Sequence, residues 1–127
     1  MEKPVLLVVG ESPVLHQEAD EKFGSSFKVL HARSEGEIIE QCVFGHEDIK
    51  VVLVDPFLEG DGQHSLGFSA LPMIEPIRKQ RPNIPVIGIY LAMSAHEQLL
   101  RDAGCTHCVS SVVDSFRIIC DEVKFEE

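Results

Sequence analysis

Asp55, a pair of cysteines and a scatter of histidines are the residues of this chain whose types and spacing could do chemistry. Asp55 closes the apolar run Ile49 to Val54 and is followed by Pro56. A carboxylate there can take a cation, a proton or a transferred group. It can equally do no more than cap a turn, because the residue before a proline is pushed into an extended conformation that suits a strand end. Glu11 divides in the same way, between a pocket acid and the first-turn acid of a helix capped by Ser12. Cys105-Thr106-His107-Cys108 has the C-x-x-C spacing that can hold Zn²⁺ or form a reactive dithiol. Structural zinc needs four ligands, however, and no second C-x-x-C exists, while redox C-x-x-C motifs open a helix and this one leads into a strand. Cys105 and Cys108 are therefore expected to pack as small hydrophobes. The six histidines, His16, His31, His46, His64, His96 and His107, include no helical i, i+4 pair. Each is expected on a surface or in a turn, with His64, near Glu59 and Asp61, kept open as a ligand. No Ser, His and Asp spacing, no G-x-S-x-G and no Walker sequence is present, which argues against a metabolic enzyme.

Positioning such groups requires a scaffold, and the hydrophobic pattern describes one. Near-continuous apolar runs read as strands buried on both faces, the signature of a parallel sheet covered by helices. They are Val5 to Val9, Phe27 to Leu30, Ile49 to Val54 and Ile84 to Leu91, with a weaker run around His107 to Ser110. Helical spacing fills the gaps at Val14 to Phe23, Glu35 to Phe44, Ala95 to Ala103 and Asp114 to Phe125. Ser34 with Glu37 has capping-box spacing, which places Ile38, Ile39, Cys42 and Val43 on one face, and Gly104 reads as a helix stop. In the last helix the stripe Val113, Phe116, Ile119, Cys120 and Val123 is expected to face the sheet. Between Pro56 and Pro76 the glycines and prolines predict a long loop leading into a short or kinked third helix. Five alternations predict a flavodoxin-like (βα)5 doubly wound α/β sandwich, its five-stranded parallel sheet in the order 2-1-3-4-5. Gly10-Glu11-Ser12-Pro13 is not the Ser/Thr-rich phosphate loop that flavin binders of this fold require.

Composition narrows the class. One domain spanning residues 1–127 is expected, with no internal repeat or linker. Eleven Lys and Arg against 21 Asp and Glu leave a net charge of −10, which repels a phosphate backbone, so nucleic acid is not an expected partner. No apolar run approaches the ~18 residues a bilayer span needs, and MEKPVLLVVG lacks a cleavage site after its short apolar stretch. The chain is expected to act in the cytoplasm, away from membranes, with its four cysteines reduced.

Val51 to Gly62, VVLVDPFLEGDG, resembles the response-regulator receiver segment in which a hydrophobic strand ends in the acceptor aspartate and enters a Pro/Gly turn. Ile84-Pro85-Val86-Ile87 is similar to the family's fourth strand, and Ala103-Gly104 before the fifth strand also fits. The resemblance spans almost the whole chain and implies that Asp55 matches the phosphoacceptor. It also implies a pocket of Gly10, Glu11, Tyr90 and Ser111, with Mg²⁺ held by Glu11, Asp55 and a backbone carbonyl near Phe57. Departures accumulate at the chemistry. Receivers end the first strand with two acids, matched here by Gly10 and Glu11; they end the fourth with a small hydroxyl residue, matched by Tyr90. They end the fifth with Lys then Pro, matched by Ser111 and Val112, and the aromatic on the fifth strand is matched by Cys108. The aromatic and the small residue have changed places. Phosphoryl transfer relies on positioning and charge neutralisation, and each missing electrostatic donor typically costs about 10²–10³ in rate.

These readings predict a degenerate receiver, not an enzyme, acting as a protein-protein interaction module in bacterial signal transduction without phosphorylation. The interface implied by the resemblance is the fourth helix, fifth strand and fifth helix, including His96, Gln98, Arg101, Ser110 and Arg117, which would also serve a homodimer. With the last helix running toward Glu127, no attached output domain is expected. The alternative is a working receiver in which a histidine kinase phosphorylates Asp55. A metal- or redox-responsive domain using Cys105 and Cys108 ranks third.

Overall fold

In the runs Val5–Val9 and Val51–Val54, side chains on both faces of the strand are apolar and buried, while Lys50 is exposed. From Val51 on the alternation sorts them, and Ile49, before a register shift, joins the first core. Val5, Leu7, Val9, Val52 and Val54 enter one core with Ile38, Ile74, Ile77 and Leu100. Leu6, Val8, Val51 and Leu53 enter the other with Leu15, Ala19, Phe23 and Ile119. A strand with two buried faces needs helices on both sides, which is why this sheet is parallel and doubly wound.

A computed structural model describes residues 3–10, 13–41, 49–55, 71–80, 82–89 and 94–122, of which 35, 39, 71–73, 94–96 and 122 are described by backbone alone. The elements are β1 (Val5–Val9), α1 (Pro13–Phe23), β2 (Lys28–Ala32), α2 (Glu35–Ile39), β3 (Ile49–Val54), α3 (Leu71–Gln80), β4 (Val86–Ile89), α4 (Ser94–Ala103), β5 (His107–Val109) and α5 (Val112–Glu122). The five parallel strands lie in the order β2-β1-β3-β4-β5, as the sequence pattern requires. Helices α1 and α5 cover one face; α2, α3 and α4 cover the other.

Local chemistry sets several boundaries. Ser34 Oγ accepts from the Glu37 N–H at 3.2 Å, and the Glu37 carboxylate reaches back to the Arg33 N–H at 2.7 Å, one residue beyond the usual capping-box partner. Gly104, at φ +122°, ends α4: its N–H donates to Arg101 O and that of Cys105 to Leu100 O, a left-handed cap that a Cβ would strain. Pro72 falls in the first turn of α3, where no N–H is needed. Pro76 sits inside the same helix at the cost of one backbone hydrogen bond.

Some expectations shift. β4 begins at Val86 rather than Ile84, because Pro85 has no N–H for the ladder and serves it only through its carbonyl, which accepts from Val52 N at 3.0 Å. Phe27 precedes β2 and packs edge-on against Phe23. Most of the expected extension of the second helix, with Cys42 and Val43, lies outside the described residues. Helix α5 turns a different face to the sheet than its apolar stripe predicts. Val113 is 67% exposed and Cys120 is exposed, whereas Ser115 and Ile119 are buried and Val112 and Phe116 pack on the core beside them. The face runs 112, 115, 116, 119, one residue away from the predicted stripe. It tolerates Ser115 because that hydroxyl donates to Val112 O at 2.7 Å.

Candidate functional site

Parallel strands bring their carboxyl ends to one edge, and the register here levels the two that matter. Val9 lies beside Ala32 on one side and Val54 on the other, so Gly10 and Asp55 leave β1 and β3 together. The Asp55 N–H donates to Val9 O at 2.8 Å, and the Gly10 N–H donates to Ala32 O at 3.1 Å. Asp55 is half-buried at the end of the central strand.

Gly10 adopts φ +155°, and a Cβ built there would stand 3.1 Å from Asp55 O and 3.2 Å from Asp55 Cβ. The end of β1 thus approaches Asp55 more closely than a side chain at position 10 permits. A side chain at position 10 would have to begin in that tight space. Ser111 caps α5: its Oγ accepts from the Asp114 N–H at 3.0 Å, and its carbonyl accepts from Ser115 N at 3.1 Å. Glu11, Phe57 and Tyr90 lie outside the described residues. Of the expected pocket, then, the structure brings Gly10 and Asp55 into contact and gives Ser111 a capping role.

No family model matches the chain, and no curated protein matches it. Solved structures do. A response regulator receiver domain protein (CheY-like) from Methanospirillum hungatei JF-1 is 17% identical, with a TM-score of 0.74 over 95% of this chain and 94% of that one. A response regulator from Thermotoga maritima is 21% identical, with a TM-score of 0.70 over 94% and 96%. The response regulator TrrA of the same organism, in complex with Mg²⁺-BeF, is 17% identical, with a TM-score of 0.69 over 94% and 97%.

The fold is that of receiver domains.

Receiver neighbours include one holding Mg²⁺, so its fit to this chain can be asked of the residues themselves. Among the described residues no group of three or more His, Cys, Asp or Glu side chains could hold a metal ion. Gly10 brings no ligand, and Asp55 is the one described residue of the expected Mg²⁺ set. The described part of this receiver fold therefore does not make a Mg²⁺ site.

Histidine placement departs furthest from expectation. His16, expected on a surface, is only 1% exposed, and His31 stands in β2 with its ring against it. The missed signal is that position 16 falls beside Leu15, Ala19 and Phe23 on the buried face of α1. The absence of an i, i+4 pair is no guide when the two rings belong to different elements.

Cys105 is buried and its thiol is pushed up to about 12, first by burial and then by Cys108; burial likewise raises Cys108. Both are poor nucleophiles, which agrees with packing over redox chemistry. In native protein at neutral pH, a maleimide is expected to label exposed Cys120 and to leave Cys105 unmodified until the chain unfolds. Peptide mass mapping reads this, and equal labelling of the two would contradict it. A groove of about 260 Å³, lined by Arg78, Asn83, Pro85, Thr106 and His107, opens at the amino ends of β4 and β5. That is the edge opposite to the one where this fold collects its chemistry.

Proposed function

We propose that this chain is a receiver-fold interaction module of bacterial signal transduction that works in the cytoplasm by binding another protein, without accepting phosphate and without turnover of its own. The observation that supports this reading is the close approach of Gly10 to Asp55, where a side chain at position 10 would crowd the Asp55 backbone and Cβ. Ser111 adds to it, offering a helix-capping hydroxyl in place of an ammonium group, so this position supplies no cation to neutralise an acyl phosphate.

The binding face is the one formed by α4, β5 and α5. Its long side chains pair within their helices: Arg101 with Glu97 at 2.9 Å, Gln98 with Asp102 at 2.8 Å, and Arg117 with Asp114 at 3.9 Å. Leu99 on α4 and Val113 on α5 are exposed. Exposed apolar side chains together with charged ones suit a protein partner such as a histidine kinase or another signalling protein, or a second copy of the chain. No helix among the described residues is long and apolar enough to cross a membrane.

A second reading is favoured by one feature, the half-buried carboxylate of Asp55 at the end of the central strand. There the carboxylate oxygen would attack the phosphorus of a kinase phosphohistidine, breaking the P–N bond and forming an acyl phosphate. Glu11 and Asp55, with the carbonyl near Phe57, would be the Mg²⁺ ligands. Beryllofluoride with Mg²⁺ separates the two readings. Amide spectra are expected to stay unchanged, and the Asp55→Asn protein is expected to fold and signal as the parent does. An adduct at Asp55, or loss of signalling with folding intact, would replace the first reading with the second.

A further inference from the structure

Three contacts chain two histidines between two fixed acceptors. His16 Nε2 lies 2.8 Å from Gly10 O, His16 Nδ1 lies 2.6 Å from His31 Nδ1, and His31 Nε2 lies 3.0 Å from Asp20 Oδ1. The outer partners, a backbone carbonyl and a carboxylate, only accept, so each Nε2 must carry a proton. One more proton must lie between the two Nδ1 atoms, because two lone pairs, or two N–H groups, repel at 2.6 Å. Three contacts therefore need three protons, and two neutral imidazoles carry two. The pair is fully bonded in one charge state only, a single cation shared by the two rings beside Asp20.

A metal ion does not replace that proton. Two nitrogens on a tetrahedral zinc stand roughly 3.3 Å apart, wider than this contact, and the described residues supply no third ligand.

We infer that His16 and His31 form a single-proton latch that ties α1 to β2, fixes the carbonyl of Gly10 beside Asp55, and opens when a second proton arrives. This holds whether or not Asp55 accepts phosphate. Gly10 ties three elements together. Its N–H is held by Ala32 on β2, its carbonyl by His16 on α1, and its Cα faces Asp55 just after β3. Releasing the carbonyl frees one of the three restraints on the end of β1.

The groups facing His16 come from each neighbouring element: Asp20 on its own helix, His31 in β2, Arg33 just after β2 and the Gly10 carbonyl after β1. Burial holds His16 below the ordinary histidine range. The Gly10 hydrogen bond opposes this, His31 and Arg33 deepen it, and Asp20 offsets it weakly. Below about pH 6.5 the unfolded rings take up two protons where the folded pair keeps one, so stability is lost on acidification; above it the folded pair keeps a proton that the unfolded rings shed, so stability is lost as pH rises as well.

The test compares the full chain with His16→Gln, whose amide can donate to Gly10 O and accept from His31 but cannot titrate. The ratio of parent to variant folding constants, from urea unfolding, is expected to peak near pH 6.5 and to fall on the order of tenfold by about pH 5 and again by about pH 8. A ratio that does not change with pH overturns the latch. Nitrogen-15 spectra of the parent's imidazoles keep the question decidable if the variant does not fold. Three protonated ring nitrogens are expected across the pair at neutral pH, with the Gly10 and Asp55 amides shifting at the midpoint of the rings. Two protonated nitrogens, or amides indifferent to the ring titration, overturn it.

Discussion

Replacing Gly10 by Asp, which supplies the acid that working receivers carry at this place, is expected to destabilise the domain by roughly 2–5 kcal/mol. Two costs add. A residue with a Cβ at φ +155° is strained, and that Cβ would press on backbone and Cβ atoms of Asp55 at 3.1 and 3.2 Å, which are not the yielding tip of a side chain. Gly10→Ala separates sterics from charge and is expected to show most of the same loss. Urea midpoints measure both variants, and millimolar Mg²⁺ is expected not to return the Asp variant to the parent midpoint. An Ala variant within about 0.5 kcal/mol of the parent would show that the β1 end yields freely and that Asp55 does not crowd position 10.

Phe23→Ala is expected to cost about 3–5 kcal/mol, a large share of the roughly 5–15 kcal/mol that holds a domain of this size. Phe23 is 2% exposed at the end of α1, with Phe27 edge-on at 5.5 Å and Phe116 edge-on at 4.9 Å. It joins three elements at one point, so truncation leaves a cavity that none can close without moving the other two. Phe23→Leu is expected to lose much less, because most of the volume remains. The measurement is the urea midpoint at constant m-value. A loss below about 1 kcal/mol for the Ala variant would mean that α1 and α5 repack independently.

The two predictions probe opposite kinds of information. Phe23 is legible as core from sequence, since it ends an amphipathic helix; its meeting with Phe116 is not, because nothing local links residues so far apart. Gly10 is legible only as a missing acid. That a Cβ there would crowd Asp55 depends on the level ends of β1 and β3, a property of register. The candidate site was thus read in part: Asp55 and Gly10 meet, Ser111 is drawn into capping α5, and Glu11, Phe57 and Tyr90 lie outside the described residues.

The sequence by itself determined the alternation of elements, the two-sided burial of β1 and β3, the Ser34 cap and the Gly104 stop. Those depend on periodicity or on contacts within a few residues, whereas the sheet order followed from the handedness of crossovers and the fold that five such units match. Only the tertiary structure decided which face of α5 is buried, that His16 enters the interior, and that it meets His31. Helix α5 offers two overlapping apolar stripes, and the sheet, not the helix, chooses between them. His16 is tolerated inside because a carbonyl from β1 and a second imidazole from β2 satisfy its nitrogens, partners brought within reach only once the strands are paired.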